Sequence, residues 1–171
     1  MPDEPVDSLG RPFAAIEPLL HLLAERGVEF LVAGGVAVNI HGYVRLTVDL
    51  DIIPSPREAT LRTLAQVLYD LDVQAVGAQG ESLPLPLDHP ARLSMGNYFL
   101  VTKLGALDLL NGTRPDLKRY LRLESAAGEV PVGDARVKVI SKDDLIAMKR
   151  EAGRPKDLRD IAALTEVERN G

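Results

Sequence analysis

Cysteine is absent from the chain, which excludes disulfides, zinc-thiolate sites, iron-sulfur clusters and thiol nucleophiles in one step. Histidine is scarce. His21, His41 and His89 stand far apart with no helical pairing, so each reads as structural and any metal is left to carboxylates. No apolar run approaches the ~18 residues that a membrane span requires. The first twelve residues carry acids and prolines, where a secretory signal would carry a basic segment followed by an apolar one. The expected location is therefore the cytoplasm, without membrane contact. A surplus of positive charge is missing too: the formal net charge of -5 argues against a broad electrostatic grip on nucleic acid.

What is present is the make-up of an ordinary globular protein, with 46% hydrophobic and 26% charged residues over 171 positions. That length predicts a single domain over 1–171, with a core at about 13–140 and C-terminal helices at about 141–169. Ile16, Leu19, Leu20, Leu22 and Leu23 recur at helical spacing and Gly27 follows as a stop, which predicts a helix within 13–26. Pro18 lies inside that pattern, so the helix starts there or kinks there. Residues 30–33 read as a strand, Gly34 and Gly35 as a tight turn, and 36–40 as a short helix.

Residues 48–53 alternate, with Val48, Leu50 and Ile52 on one strand face and Asp49, Asp51 and Ile53 on the other. Ser55, Pro56 and Glu58 carry the signature of an N-cap, a first-turn proline and a capping-box acid, opening a helix to about Leu71. Residues 77–89 predict an exposed loop or irregular strand pair that faces substrate as a flap. Residues 98–102 and 106–110, parted by Lys103, Leu104 and Gly105, read as a hairpin or a bulged strand, and 129–132 with 136–140, flanking Gly133 and Asp134, as a further hairpin. Ser141 and Asp144 cap a helix that stops at Gly153, and Pro155 opens a last one reaching about Glu168.

The chemistry starts from Asp49 and Asp51. Two carboxylates on one strand face converge on hard cations, and placing them side by side costs stability unless a cation or base offsets their charge. Mg2+ is the expected ion, with Mn2+ as the alternative. Gly34 and Gly35 lack side chains that would keep a phosphate from the backbone. Asp108, alone among apolar neighbours, is the candidate third acid for a phosphoryl transfer, which makes the three acids both the metal-ligand set and the catalytic set. Arg45 and Thr47 approach Asp49 on the same face, where the arginine pairs with an aspartate or with phosphate. Lys149, Arg154, Lys156 and Arg159 form a local basic stretch suited to phosphate or, equally, to a solvated helix face.

The segment running from Val32 through Gly34, Gly35, Arg45, Thr47, Asp49 and Asp51 to Ile52 resembles the first motif of the nucleotidyltransferase superfamily. Glycine pair, Arg-x-Thr and Asp-x-Asp stand in the expected order. Lys149, Lys156, Asp157 and Asp160 are similar to the third motif of the abortive-infection toxin nucleotidyltransferases of the AbiEii/AbiGii type. Two features depart from that pattern: Gly35 stands where many relatives have serine, and the larger helical domain of the toxins does not follow the third motif here.

The resemblance implies an α/β (α+β) nucleotidyltransferase fold with a mixed sheet flanked by helices. It implies transfer of a nucleoside monophosphate from a nucleoside triphosphate to an acceptor hydroxyl. Gly34 and Gly35 would then hold phosphates, Asp49, Asp51 and Asp108 the metal, and Lys149 the triphosphate, while Asp157 and Asp160 carry over only as motif positions. A tRNA end, a protein hydroxyl and a small molecule stay open as acceptors, as do an antitoxin partner and a homodimer. The competing reading is a non-catalytic nucleotide-binding or toxin-antitoxin module. A dinucleotide-binding Rossmann fold is set aside because Gly-x-Gly-x-x-Gly is missing.

Overall fold

The computed structural model describes residues 5–170, with side chains to residue 166; the ends of the expected 1–171 domain, residues 1–4 and 171, lie outside the described residues. Among the described residues six helices and eight strands are formed. They are α1 (Ile16–Glu25), β1 (Phe30–Val32), α2 (Gly34–Ile40), β2 (Leu50–Pro54), α3 (Glu58–Asp70), β3 (Gln74–Val76), β4 (Ser82–Leu83), β5 (Tyr98–Thr102), β6 (Gly105–Leu109), α4 (Leu117–Ala126), β7 (Gly128–Val132), β8 (Ala135–Val139), α5 (Lys142–Ala152) and α6 (Pro155–Asn170). The strands make one mixed sheet in the order β4-β3-β5-β6-β2-β1-β8-β7. Among the described residues no helix is long and apolar enough to cross a membrane.

The centre of the sheet positions the acids. β2 runs antiparallel to β1 and parallel to β6, and the parallel register sets Asp51 directly beside Asp108. Side chains at paired positions of neighbouring strands project from the same face, so this register alone brings two carboxylates together. On the opposite face Leu50, Ile52, Leu107 and Leu109 are fully buried, and they hold the strands rigidly against the core. At ~25 cal/mol per Å2 of apolar area removed from water, such residues each contribute ~1.5–3 kcal/mol.

Local chemistry explains the helix ends. Pro18 falls in the first turn of α1, because Ala15 is the N-cap residue; an amide there has no helical partner, so the proline starts the helix without kinking it. The expected turn at the glycine pair runs straight into α2: after the extended Ala33, Gly34 takes a left-handed φ of 55, and Gly34 and Gly35 are the first residues of the helix. The expected Ser55 cap of α3 is corrected. β2 continues to Pro54, the Ser55 amide donates to the Glu29 carbonyl at 2.9 Å, and Arg57 occupies the N-cap position without a side-chain cap. Ser55 is therefore buried in the strand exit, and Glu58 lies too close to the helix start for a capping box. Ser141 does cap α5, accepting from the Asp144 amide at 3.1 Å, and Gly153 ends it in the left-handed conformation at φ 63.

Residues 77–89 form the turn and second strand of the short β3–β4 hairpin and then an irregular run before a 3-10 turn at Pro90–Ser94. One helix escaped the sequence reading. α4 carries an Asp116 N-cap that accepts from the Arg119 amide at 2.9 Å, and it buries Tyr120 and Leu123.

Candidate functional site

Asp49, Asp51 and Asp108 meet in space. Each offers a carboxylate oxygen, and these oxygens lie within 4.8 Å of one another. Asp49 sits one residue before β2, so it reaches the cluster from the incoming loop and not from the strand itself. The three acids face a cleft of ≈ 950 Å³ whose lining includes Gly34, Arg45, Thr47, Phe99 and Lys149. Burial, then the charges of Asp49 and Asp108, push Asp51 up to about 7, against a favourable backbone amide from Gly35. Burial also raises Asp108, to about 6, although Arg11 favours its charged form.

The glycine pair has a specific steric reason. A Cβ built on Gly34 would lie 1.7 Å from Asp51 Oδ2, and one on Gly35 would lie 2.3 Å from Thr47 Oγ1. Both glycines thus let the acid-bearing strand and its incoming loop come against the start of α2. The backbone amide of Gly35 points at Asp51, where it favours the carboxylate.

Arg45 makes a two-point pair with Asp160, Nε to Oδ1 and Nη2 to Oδ2, each at 2.8 Å. Lys149 is nearly fully buried at the cleft wall, with its ammonium 2.7 Å from Asp160 and 3.3 Å from Asp157. Arg154 holds Asp157 through Nε at 2.6 Å and its own amide at 3.2 Å. The third motif therefore forms one connected ion cluster joining α5, α6 and the loop before β2. Lys156 lines the same cleft, is exposed, and makes no ion pair among the described residues. Arg159, the other cation of the basic stretch, is exposed on α6.

Arg11 is the residue that sequence reasoning missed. The N-terminal strap, residues 5–14, bridges Val6 to Pro12 and is bonded to the body through Ala106 N–H to Pro12 and Ala14 N–H to Val48. It delivers Arg11, 2% exposed, into the acid cluster. There the guanidinium pairs with Asp108 through Nη1 and with Asp7 through Nε and Nη2, each at 2.8 Å, and its Nη2 lies 3.6 Å from Asp49. No sequence signal marks it, since Asp108 is 97 positions away.

No protein-family model matches the chain, and no curated protein matches it in sequence. Solved structures do match. An antigenic nucleotidyltransferase-like protein from Paracoccidioides brasiliensis superposes with a TM-score of 0.55 at 17% identity, covering 89% of this chain and 77% of that one. The lincosamide antibiotic adenylyltransferase LnuA, in a lincomycin-bound structure, superposes with a TM-score of 0.57 at 17% identity, covering 88% and 94%. The fold is a nucleotidyltransferase fold. The likeness covers 89% and 88% of this chain, so the expected mixed α/β architecture holds, while the AbiEii/AbiGii type rests on the motif residues alone. Within this nucleotidyltransferase fold, the acid cluster lies where β2 and β6 run side by side.

Proposed function

We propose that this chain is a metal-dependent nucleotidyltransferase that moves a nucleoside monophosphate from a nucleoside triphosphate to an acceptor hydroxyl. One observation carries the reading: the convergence of Asp49, Asp51 and Asp108 within 4.8 Å beside a cleft large enough for a nucleotide. The donor set suits a hard cation, since all three groups are carboxylates and none is histidine or thiolate. Asp49 and Asp51 would hold Mg2+, or Mn2+, with Asp108 completing the cluster. A bound ion supplies charge neutralisation at the phosphate oxygens.

The chain's own groups do the rest. An acceptor oxygen attacks the α-phosphorus, the bond to the β-phosphate oxygen breaks, and pyrophosphate leaves. The acceptor proton passes to Asp108 through Oδ2, which receives no hydrogen bond among the described residues, whereas Oδ1 is held by Arg11. Gly34, Gly35 and Thr47 line the cleft beside the acids, and Arg45, Lys149, Arg154 and Lys156 bring positive charge to the same cleft for the phosphates. Acceptors of this class are a tRNA end, a protein hydroxyl or a small molecule such as the antibiotic of the lincosamide adenylyltransferase. Pairing with an antitoxin or with a second copy belongs to the same proposal.

The test is magnesium-dependent release of pyrophosphate from a panel of nucleoside triphosphates over an acceptor screen. Asp49→Asn and Asp51→Asn should lose at least ~100-fold, because even outer-shell partners of metal ligands cost ~10–100-fold. Nucleotide binding without release across the whole screen would replace this reading with that of a non-catalytic nucleotide-binding module.

A further inference from the structure

Arg11 sits where a cation is wanted. Its guanidinium contacts Asp108 and comes within 3.6 Å of Asp49, so it occupies the gap between two of the three acids. It is not a loose side chain that an incoming ion would displace. Asp7, only 5% exposed, accepts from Arg11 Nε and Nη2 with one oxygen and from the Arg11 and Leu9 amides with the other. The Leu100 carbonyl accepts from Nη1 at 3.4 Å, and the Phe99 ring lies 5.8 Å from the guanidinium carbon. The strap that carries it passes close over Gly105, where any Cβ would lie 2.3 Å from the Phe13 carbonyl oxygen. Withdrawing Arg11 would leave Asp7 and Asp108 buried without a counter-charge, which is the expensive way to break a buried pair.

We propose that Arg11 is a resident second cation, so that the cluster takes one divalent ion, held by Asp49 and Asp51, and the guanidinium stands in for another. This rests on the nucleotidyltransferase reading and narrows it. Asp108 then works as a carboxylate held by Arg11 through Oδ1, with Oδ2 turned to the acceptor side, and not as a bridging metal ligand. Two positive charges of different kinds serve the reaction: the ion is exchangeable, and the arginine is built into the fold. Arg11 is thereby a positioning residue for Asp108 as well as a fixed charge in the cleft.

The experiment is an ion count on the full chain, titrated with Mn2+ alone and followed by the electron paramagnetic resonance of the free ion. Wild type should saturate at one ion per chain, and Arg11→Lys should do the same. Arg11→Ala, if folded by circular dichroism, should reach two. Asp108→Asn should keep one ion with affinity within about threefold of wild type, whereas Asp51→Asn should lose it. Two ions on the wild type, or loss of the ion in Asp108→Asn, overturns the inference while leaving the transferase reading intact. Because the wild-type and Asp108→Asn counts decide the matter by themselves, an unfolded Arg11→Ala changes nothing. No ion on wild type at any concentration removes both this inference and the metal-dependent reading.

Discussion

Arg45 and Asp160 are joined by two parallel hydrogen bonds of 2.8 Å, although 115 positions separate them. The pair ties the loop that leads into Asp49 to the C-terminal helix α6. Asn39 steadies the same loop, its amide group donating to the Arg45 carbonyl at 2.9 Å and accepting from the Arg45 amide at 3.0 Å. The approach of Asp49 to Asp51 is therefore set from three directions: α2, α6 and the strand.

This geometry makes Arg45→Lys a non-conservative change. A lysine ammonium is a point charge and cannot reproduce the planar fork, so the variant should lose about 1–2 kcal/mol of unfolding free energy. Arg45→Ala should lose about 3 kcal/mol by leaving Asp160 with Lys149 alone. Urea denaturation of both variants measures the difference. A lysine variant as stable as the parent would show that the two-point geometry contributes nothing.

The ion cluster also sets a stability limit in acid. Burial opposes the charge of Asp157, but Arg154 and Lys149 outweigh it and hold the carboxyl below the usual value of 3.8; Asp160 is lowered in the same way, against burial, by Arg45 and Lys149. The folded groups release their protons more readily than the unfolded ones do. Their contribution is therefore present above about pH 3.8 and disappears as the pH falls through the lowered folded values. The stability gap between wild type and Asp157→Asn should be constant from pH 8 to 5 and should shrink below pH 3.8. Melting curves of the two proteins at each pH check this, and a gap that widens in acid would contradict it.

Much of the fold could be read in advance because its signals are local. Alternation marked β2, the breaks at Gly105 and Gly133 marked paired strands on either side, and Ser141 with Gly153 bracketed α5 with a cap and a left-handed stop. Asp49, Asp51 and Asp108 were legible as acids stranded among apolar residues. What could not be read depends on long-range contact. Arg11 gains its meaning only from Asp108, and Ser55 looked like a cap only because nothing local shows that β2 runs on to Pro54 and buries it. α4 could have been found, since Asp116 precedes Leu117, Tyr120, Leu121 and Glu124 at helical spacing.

Lys149 and Lys156 line the same cleft but differ in what surrounds them. Lys149 is enclosed by Asp157 and Asp160, so Lys149→Ala leaves two buried carboxylates short of a partner and should cost about 3–5 kcal/mol. Lys156 is exposed at the same cleft without an ion pair among the described residues, and surface charges of this kind contribute little to folding. Lys156→Ala should therefore melt within about 1 °C of wild type while raising the KM for the triphosphate roughly threefold to tenfold, the worth of ~1 kcal/mol of phosphate attraction. Unchanged KM in Lys156→Ala would move the phosphate-facing charge to Arg154.

Gly34 offers the sharpest steric test. Its φ of 55 is unfavourable for any side chain, and its added Cβ would collide with Asp51 at Oδ2, Cγ and Cβ, the last at 2.7 Å. Rotating the Asp51 side chain cannot relieve a contact with its own Cβ, so either α2 or β2 must shift and the acid cluster opens. Gly27 provides the control, because it has a similar φ of 73 but nothing within 4 Å of an added Cβ. Both alanine variants carry about 1–2 kcal/mol of left-handed backbone strain, and only Gly34→Ala carries the collision. Gly27→Ala should retain nucleotidyl transfer and Mn2+ binding at wild-type levels with a modest fall in melting temperature. Gly34→Ala should lose at least ~100-fold in transfer, on the scale of losing a metal ligand's support, together with the Mn2+ signal. If Gly34→Ala binds Mn2+ as wild type does, Asp51 is not confined by α2 and the cluster owes its geometry to the strands alone.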